Sequence, residues 1–190
     1  MTNLSLFQST KTQPLADQIR PKKLDEIFGQ EHLLAPGSQI ERMISSGNFY
    51  SIILWGPPGC GKTTIAHIIA QKSMCHFEAV SAVNSGAVEL KKIFSNAERR
   101  YKSGAGTMLL VDEIHRFNRL QQDMFLPYVE NGTIILIGIT TENPSFELNS
   151  ALLSRCKVIT LNRLDAGALE KVIQRAESVK QQTLPLSAEA

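Results

Sequence analysis

Cysteine is scarce in this chain and never paired. Cys60, Cys75 and Cys156 are widely separated and odd in number, with no CxxC among them. That pattern argues against a disulfide framework and a cysteine-based zinc site, and fits a reducing compartment. A marked excess of either charge is missing too. Lysine plus arginine number 20 and aspartate plus glutamate 18, leaving a net charge of +2. So small an excess neither indicates nor excludes nucleic acid. No apolar run approaches the roughly 20 residues needed to cross a bilayer. The opening MTNLSLFQSTKTQPLADQIRP lacks the charged start and apolar stretch of a secretory signal. Internal repeats and low-complexity tracts are also absent. What remains is the expectation of a soluble, cytoplasmic protein of 190 residues, one domain or one domain plus the start of a second.

What is present is an alternation. Residues 1–14 read as a loose polar leader ending at Pro14. LADQIRPKKLDEIFGQEHLL is broken at Pro21, with an acidic helix start at Asp25 and Glu26. Helical spacing of Ile40, Met43 and Ile44 predicts a short helix ending near Gly47. Strands are then expected at 51–55, 77–82, 107–112, 133–140 and 157–161. Helices are expected at 62–73, 86–103, over RLQQDMFLPYVENG (119–132), near 149–154 and at 165–181. Strands alternating with helices imply crossover connections, hence a five-stranded parallel sheet flanked by helices. Residues 15–162 would form this α/β domain, and 163–190 the start of a helical lid.

Three motifs carry chemistry. Gly56-Pro57-Pro58-Gly59-Cys60-Gly61-Lys62-Thr63 fits GxxxxGK[ST] and lies between a predicted strand and a predicted helix, the context this phosphate loop requires. Its glycines let successive N–H groups face phosphates, and the helix start adds its positive dipole end. Lys62 would reach the β- and γ-phosphates, and the Thr63 hydroxyl would ligate Mg²⁺. LLVDE (109–113) is an apolar strand ending in two carboxylates. Asp112 would hold the Mg²⁺, and Glu113 would face the γ-phosphate and polarise water. ITTENPSFELNSALLSRC (139–156) follows the fourth strand. There Thr140, Thr141 and Asn143 are candidates to bond both γ-phosphate and attacking water. Arg155, after a short helix, is either a solvated arginine or a finger completing a neighbouring subunit's ATP site, where such a charge adds about 10³–10⁵ in rate.

GPPGCGKTT, DEIHRFNRLQQDMFLPYVENGTIILIGITTENPSFELNSALLSRC and the opening PLADQIRPKKLDEIFGQEHLL resemble the replication-associated recombination protein A family. This is a clamp-loader-like AAA+ group that also includes the Werner helicase-interacting protein. The resemblance covers roughly residues 13–165; RuvB-type motors and clamp-loader subunits share only the general frame. It implies a P-loop AAA+ fold and a DNA-dependent ATPase, nucleoid-associated, acting at stalled or gapped replication forks. The partners it implies are single-strand/double-strand junctions, single-strand-binding protein and a homotetramer.

By the same resemblance, Leu15, Arg20, Pro21, Ile27, Phe28 and Gly29 would wrap the adenine. Lys62, Thr63 and Thr64 would form the phosphate and Mg²⁺ group, with Asp112 and Glu113 beside them. Counting back from Ser154-Arg155-Cys156 places the sensor residue at Asn143, the favoured assignment; aligning on the two threonines places it at Thr141. Gln18 stands where the family tends to carry a basic residue. The family continues into a lid with a second sensor arginine and an oligomerisation domain, so this chain is expected to be a truncated form. The alternatives are a nucleotide-binding module with little turnover and a subunit of a hetero-oligomeric clamp loader.

Weaker signals have plainer readings. Arg99, Arg100, Tyr101 and Lys102 suit the negative end of a helix dipole, with a DNA phosphate contact as the alternative. Lys22 and Lys23 read as solvated and Trp55 as packing. His32, His67 and His76 have no ligand spacing. His115 and Arg116 follow the carboxylate pair closely enough to couple a DNA contact to Glu113.

Overall fold

A computed structural model describes residues 14–183. All but the last residue of the expected leader therefore lies outside the described residues. Five strands form one sheet: β1 (Ile52–Trp55), β2 (His76–Ser81), β3 (Thr107–Asp112), β4 (Ile134–Thr140) and β5 (Lys157–Thr160). The order is β2-β3-β4-β1-β5, and every pairing is parallel. All strands therefore point their C-terminal ends to the same edge, where open α/β sheets bind ligands.

The strands are near-continuous apolar runs because both faces are covered. Ile52 and Leu54 of β1, with Leu110, Ile137 and Ile139, pack on one face against Ile40, Met43, Ile65 and Ile69. These side chains come from α3 (Gln39–Ser46) and α4 (Lys62–Lys72). Ile53, Leu109, Val111 and Leu136 face the other way, onto Leu90, Ile93 and Phe94 of α5 (Ala87–Lys102) and onto Phe125. The period of two along β1 thus splits the core in two halves. α3 is capped by Ser38, whose side chain accepts from Glu41 N, and ends at Gly47 with φ +67°, as its spacing predicts.

Two expectations are corrected. The segment 119–132 is two helices, α6 (Arg119–Asp123) and α7 (Leu126–Glu130). Pro127 lies in the first turn of α7, and its ring and missing N–H break any helix running through from residue 123. Asp25 and Glu26 sit in a single 3-10 turn, Leu24–Glu26, rather than starting an α-helix. The short helices α1 (Leu15–Gln18), α2 (Glu31–Leu34) and α8 (Pro144–Glu147) have too little periodic pattern to be seen in sequence. α9 (Ser150–Leu153) and α10 (Ala166–Lys180) begin after the side-chain caps Asn149 and Asp165.

Candidate functional site

The tips of β1, β3 and β4 bring together most of what the motifs promised. Past β1 the chain turns through residues 56–61 into α4. Gly59 and Gly61 take φ of +76° and +99°, the left-handed region that a side chain rarely adopts. Gly56 is required for another reason: a Cβ there would stand 2.6 Å from the Leu161 carbonyl oxygen. Its N–H donates to Thr140 O at 3.3 Å, tying the loop to the end of β4. Lys62 opens α4 with Gly61 as its N-cap and is buried. Its Nζ donates to Gly56 O at 2.6 Å and Pro57 O at 2.8 Å, so the ammonium is held within the loop's curve.

Asp112 ends β3 and Glu113 follows with φ +53°, ψ +45°, one of two non-glycine residues with positive φ among those described. The Glu113 N–H donates to Asp112 Oδ1 at 3.2 Å. The Glu113 carboxylate lies 3.3 Å from His115 Nδ1, which is in turn 3.0 Å from Thr140 Oγ1. Thr141 is the first residue beyond β4. Asn143 lies further out and caps α8, its Oδ1 accepting from Ser145 N.

A cavity of about 360 Å³ opens over the loop, within the range of roughly 300–1,000 Å³ common for small-molecule sites. Gly59, Cys60, Gly61, Lys62, Thr63 and Thr64 form its floor. Its roof comes from two distant segments. Arg20, Pro21 and Phe28 are among its lining residues, whereas Leu15, Ile27 and Gly29 are not. Ile27 instead packs against the core, and Gly29 admits Leu164, whose Cδ2 would stand 2.7 Å from a Cβ there.

Sequence reasoning missed Glu26, Leu164, Val172 and Arg175 in this roof. The available signal was the i, i+3 spacing of Val172 and Arg175 on α10, which places both on one helical face. Arg175 Nη2 donates to Glu26 Oε2 at 2.8 Å across the roof, and Lys171 Nζ lies 5.7 Å from the Phe28 ring centroid. The Lys22 N–H, then the Arg175 side chain, hold the Glu26 carboxyl below its usual range. Gln30, fully buried, joins floor to roof. Its Nε2 donates to Asn162 O (2.7 Å) and Cys60 O (3.3 Å), and its Oε1 accepts from Asn162 N (3.0 Å).

The remaining candidates lie apart. Arg155 is not in the cavity wall; on the surface it pairs with Glu130 and donates to Ala151 O at 2.7 Å. Arg100 pairs with Glu78 at 3.0 Å, and Arg99 bonds Asn96. His67 packs edge-on to Phe77, and His32 Nε2 lies 3.2 Å from Thr160 O. Cys60 is buried in the loop, and burial pushes the Cys156 thiol up to about 12. Among the described residues no group of three or more His, Cys, Asp or Glu is placed to hold a metal. A hydroxyl from the loop and one carboxylate from β3 nonetheless match Mg²⁺, which usually takes one or two protein ligands together with phosphate oxygens and water. Among the described residues no helix is long and apolar enough to cross a membrane.

A glycine loop between a strand and a helix, beside two carboxylates at a strand tip, defines a P-loop nucleotide-binding fold. The chain belongs to the ATPase family associated with various cellular activities (AAA), which matches residues 52–164. It is 51% identical over 177 residues to replication-associated recombination protein A of Escherichia coli K12, covering 93% of this chain and 40% of that protein. To the ATPase WRNIP1 of Dictyostelium discoideum it is 48% identical over 176 residues, or 93% of this chain and 20% of that one. Among solved structures, the Thermotoga maritima RuvB Holliday junction branch migration motor superposes with a TM-score of 0.67 at 30% identity, covering 86% of this chain and 55% of that one. The chain thus spans well under half the length of these two curated relatives.

Proposed function

We propose that this chain is the ATP-binding and hydrolysing part of a DNA-dependent ATPase acting at stalled or gapped replication forks. The observation that carries the catalytic half is that the glycine loop, which floors the cavity, is tied to the end of β4 on the same sheet edge where β3 ends in Asp112 and Glu113, two carboxylates outside the cavity lining. The DNA half rests on the names of the relatives, which belong to replication-associated recombination and to branch migration.

In this reading the loop N–H groups and Lys62 bind the triphosphate, with Lys62 exchanging the Gly56 and Pro57 carbonyls for phosphate oxygens. Thr63 and Asp112 would hold Mg²⁺, which would supply charge neutralisation at the phosphates. Arg20, Pro21 and Phe28 cover the base. Glu113 orients and polarises the water whose oxygen attacks the γ-phosphorus as the bond to the β-phosphate oxygen breaks. Thr141 now has the better claim to the sensor position, since it directly follows β4 whereas Asn143 Oδ1 is engaged in capping α8. Arg155 serves a neighbouring copy in a homo-oligomer, trading Glu130 for that copy's nucleotide. A tetramer, and cooperation with single-strand-binding protein, belong to the same reading.

Steady-state ATP hydrolysis with and without gapped DNA tests it. Turnover should rise with DNA and fall by about 10²–10⁴ in Glu113→Gln. Bound ATP with negligible turnover under both conditions would leave a nucleotide-binding module instead. Co-purification with a sliding clamp would favour the clamp-loader reading.

A further inference from the structure

Two residues beyond the carboxylate pair, His115 makes contacts that the proposed mechanism leaves unused. Its side chain is only 8% exposed, and Nδ1 lies within 3.3 Å of Glu113 Oε2 and 3.0 Å of Thr140 Oγ1. The chemistry of these partners fixes the proton. An ionised carboxylate only accepts. The Thr140 hydroxyl has one hydrogen, which it donates to Glu142 O at 3.1 Å, while it accepts from Glu142 N at 3.0 Å. Both neighbours are therefore acceptors towards the imidazole, and Nδ1 carries the hydrogen. Thr140 is fully buried at the tip of β4, directly before Thr141, so the imidazole leans on a fixed post. Glu113, by contrast, sits in a left-handed backbone conformation that non-glycine residues rarely adopt unless their surroundings hold them there.

We propose that His115 is a positioning residue for Glu113: its Nδ1–H, shared between the Glu113 carboxylate and the Thr140 hydroxyl, fixes the base relative to the tip of β4. One hydrogen cannot serve both acceptors fully. A shift of the β4 tip is thereby felt at the carboxylate, through a single atom and without a change in the phosphate loop. The inference deepens the ATPase reading and rests on it for its effect on rate, but the contact itself stands independently of turnover.

Two measurements on the full chain test it. The first is ¹⁵N NMR of the histidine side chains, with His115 assigned by substitution. His115 should be the Nδ1–H tautomer, and its Nδ1 resonance should move in Glu113→Gln. An Nε2–H tautomer, or a resonance indifferent to Glu113→Gln, would overturn the contact.

The second is kinetic. His115→Phe keeps a ring but removes the donor. It should lower kcat by about 10- to 100-fold, the usual scale for losing an orienting partner of a reactive group, with ATP affinity within about twofold of the parent on that same reasoning. His115→Asn, whose amide nitrogen can stand near the Nδ1 position, should recover most of the loss. Unchanged kcat in His115→Phe would overturn the positioning role, as would equal losses of kcat and ATP affinity. No rescue in a folded His115→Asn would do the same. A parent chain that binds ATP but never hydrolyses it would remove the ATPase reading and the positioning role with it. The tautomer would still report whether the contact exists.

Discussion

The floor and the roof of the cavity are built on opposite principles. The floor is six consecutive residues, 59–64, whose shape is dictated locally by glycine dihedrals and by the start of α4. The roof joins side chains 149 residues apart, Glu26 and Arg175, and exists only because α10 folds back over the segment before β1. A local turn is written in the residues that make it. A tertiary wall is written in complementarity between segments that no short window contains. The floor presents backbone and one buried cation, suited to phosphates; the roof presents Pro21, Phe28, Leu164 and Val172, suited to a flat base. Phosphate binding should therefore depend on a few irreplaceable atoms, and roof contacts should be redundant.

The sharpest way to break this division is at Gln30, the residue that binds one half to the other. Gln30→Ala would strip partners from Asn162 N, Asn162 O and Cys60 O. At about 1–3 kcal/mol for a buried polar group left unpaired, the loss is expected near the top of that range, read as a shift in denaturant midpoint at constant slope. Next comes Gly56→Ala, which sets a Cβ against the Leu161 carbonyl and Cys60 Sγ. Overpacking of this kind costs about 1–3 kcal/mol, and the expected value is in the middle of that range because the atom 2.6 Å away is a backbone carbonyl oxygen, which cannot swing aside as a side-chain tip would. It should also weaken ATP binding, since the loop curve itself moves.

The smallest effect is expected in the roof. Glu26 has its carboxyl held below the usual range, so the contribution of its contacts is fully present above the ordinary carboxylate value. It is lost as pH falls through the lowered one. Glu26→Gln should flatten only that acidic limb of the stability–pH curve. It should leave ATP turnover near neutrality almost unchanged. An effect on turnover as large as that of a floor substitution would erase the distinction between the two halves.

The same contrast explains what the sequence made legible. The parallel sheet, its five strands and the helices α4, α5 and α10 follow from apolar periodicity and from glycine and proline boundaries. The phosphate loop and the Asp112–Glu113 pair follow from spacing, because their geometry is local. Residues 119–132 were misread because Pro127 can begin a helix as readily as end one. Arg175 was missed because nothing around residue 175 hints that Glu26 waits opposite. The His115–Thr140 contact needs β3 and β4 to be neighbours in space, which the order of motifs along the chain does not state. Gln30 looks like a surface glutamine until β5 and the loop close around it.

The most direct test of the floor is the binding of MgATP to the chain and to Lys62→Ala, measured by titration calorimetry. The account predicts one site per chain. It also predicts a loss in Lys62→Ala of about 1.5–3 kcal/mol, the value of a hydrogen bond to a charged group, or roughly 10- to 100-fold in affinity. A parent chain that binds no MgATP, or a Lys62→Ala variant that binds it equally well, would contradict the assignment of this loop as the phosphate site.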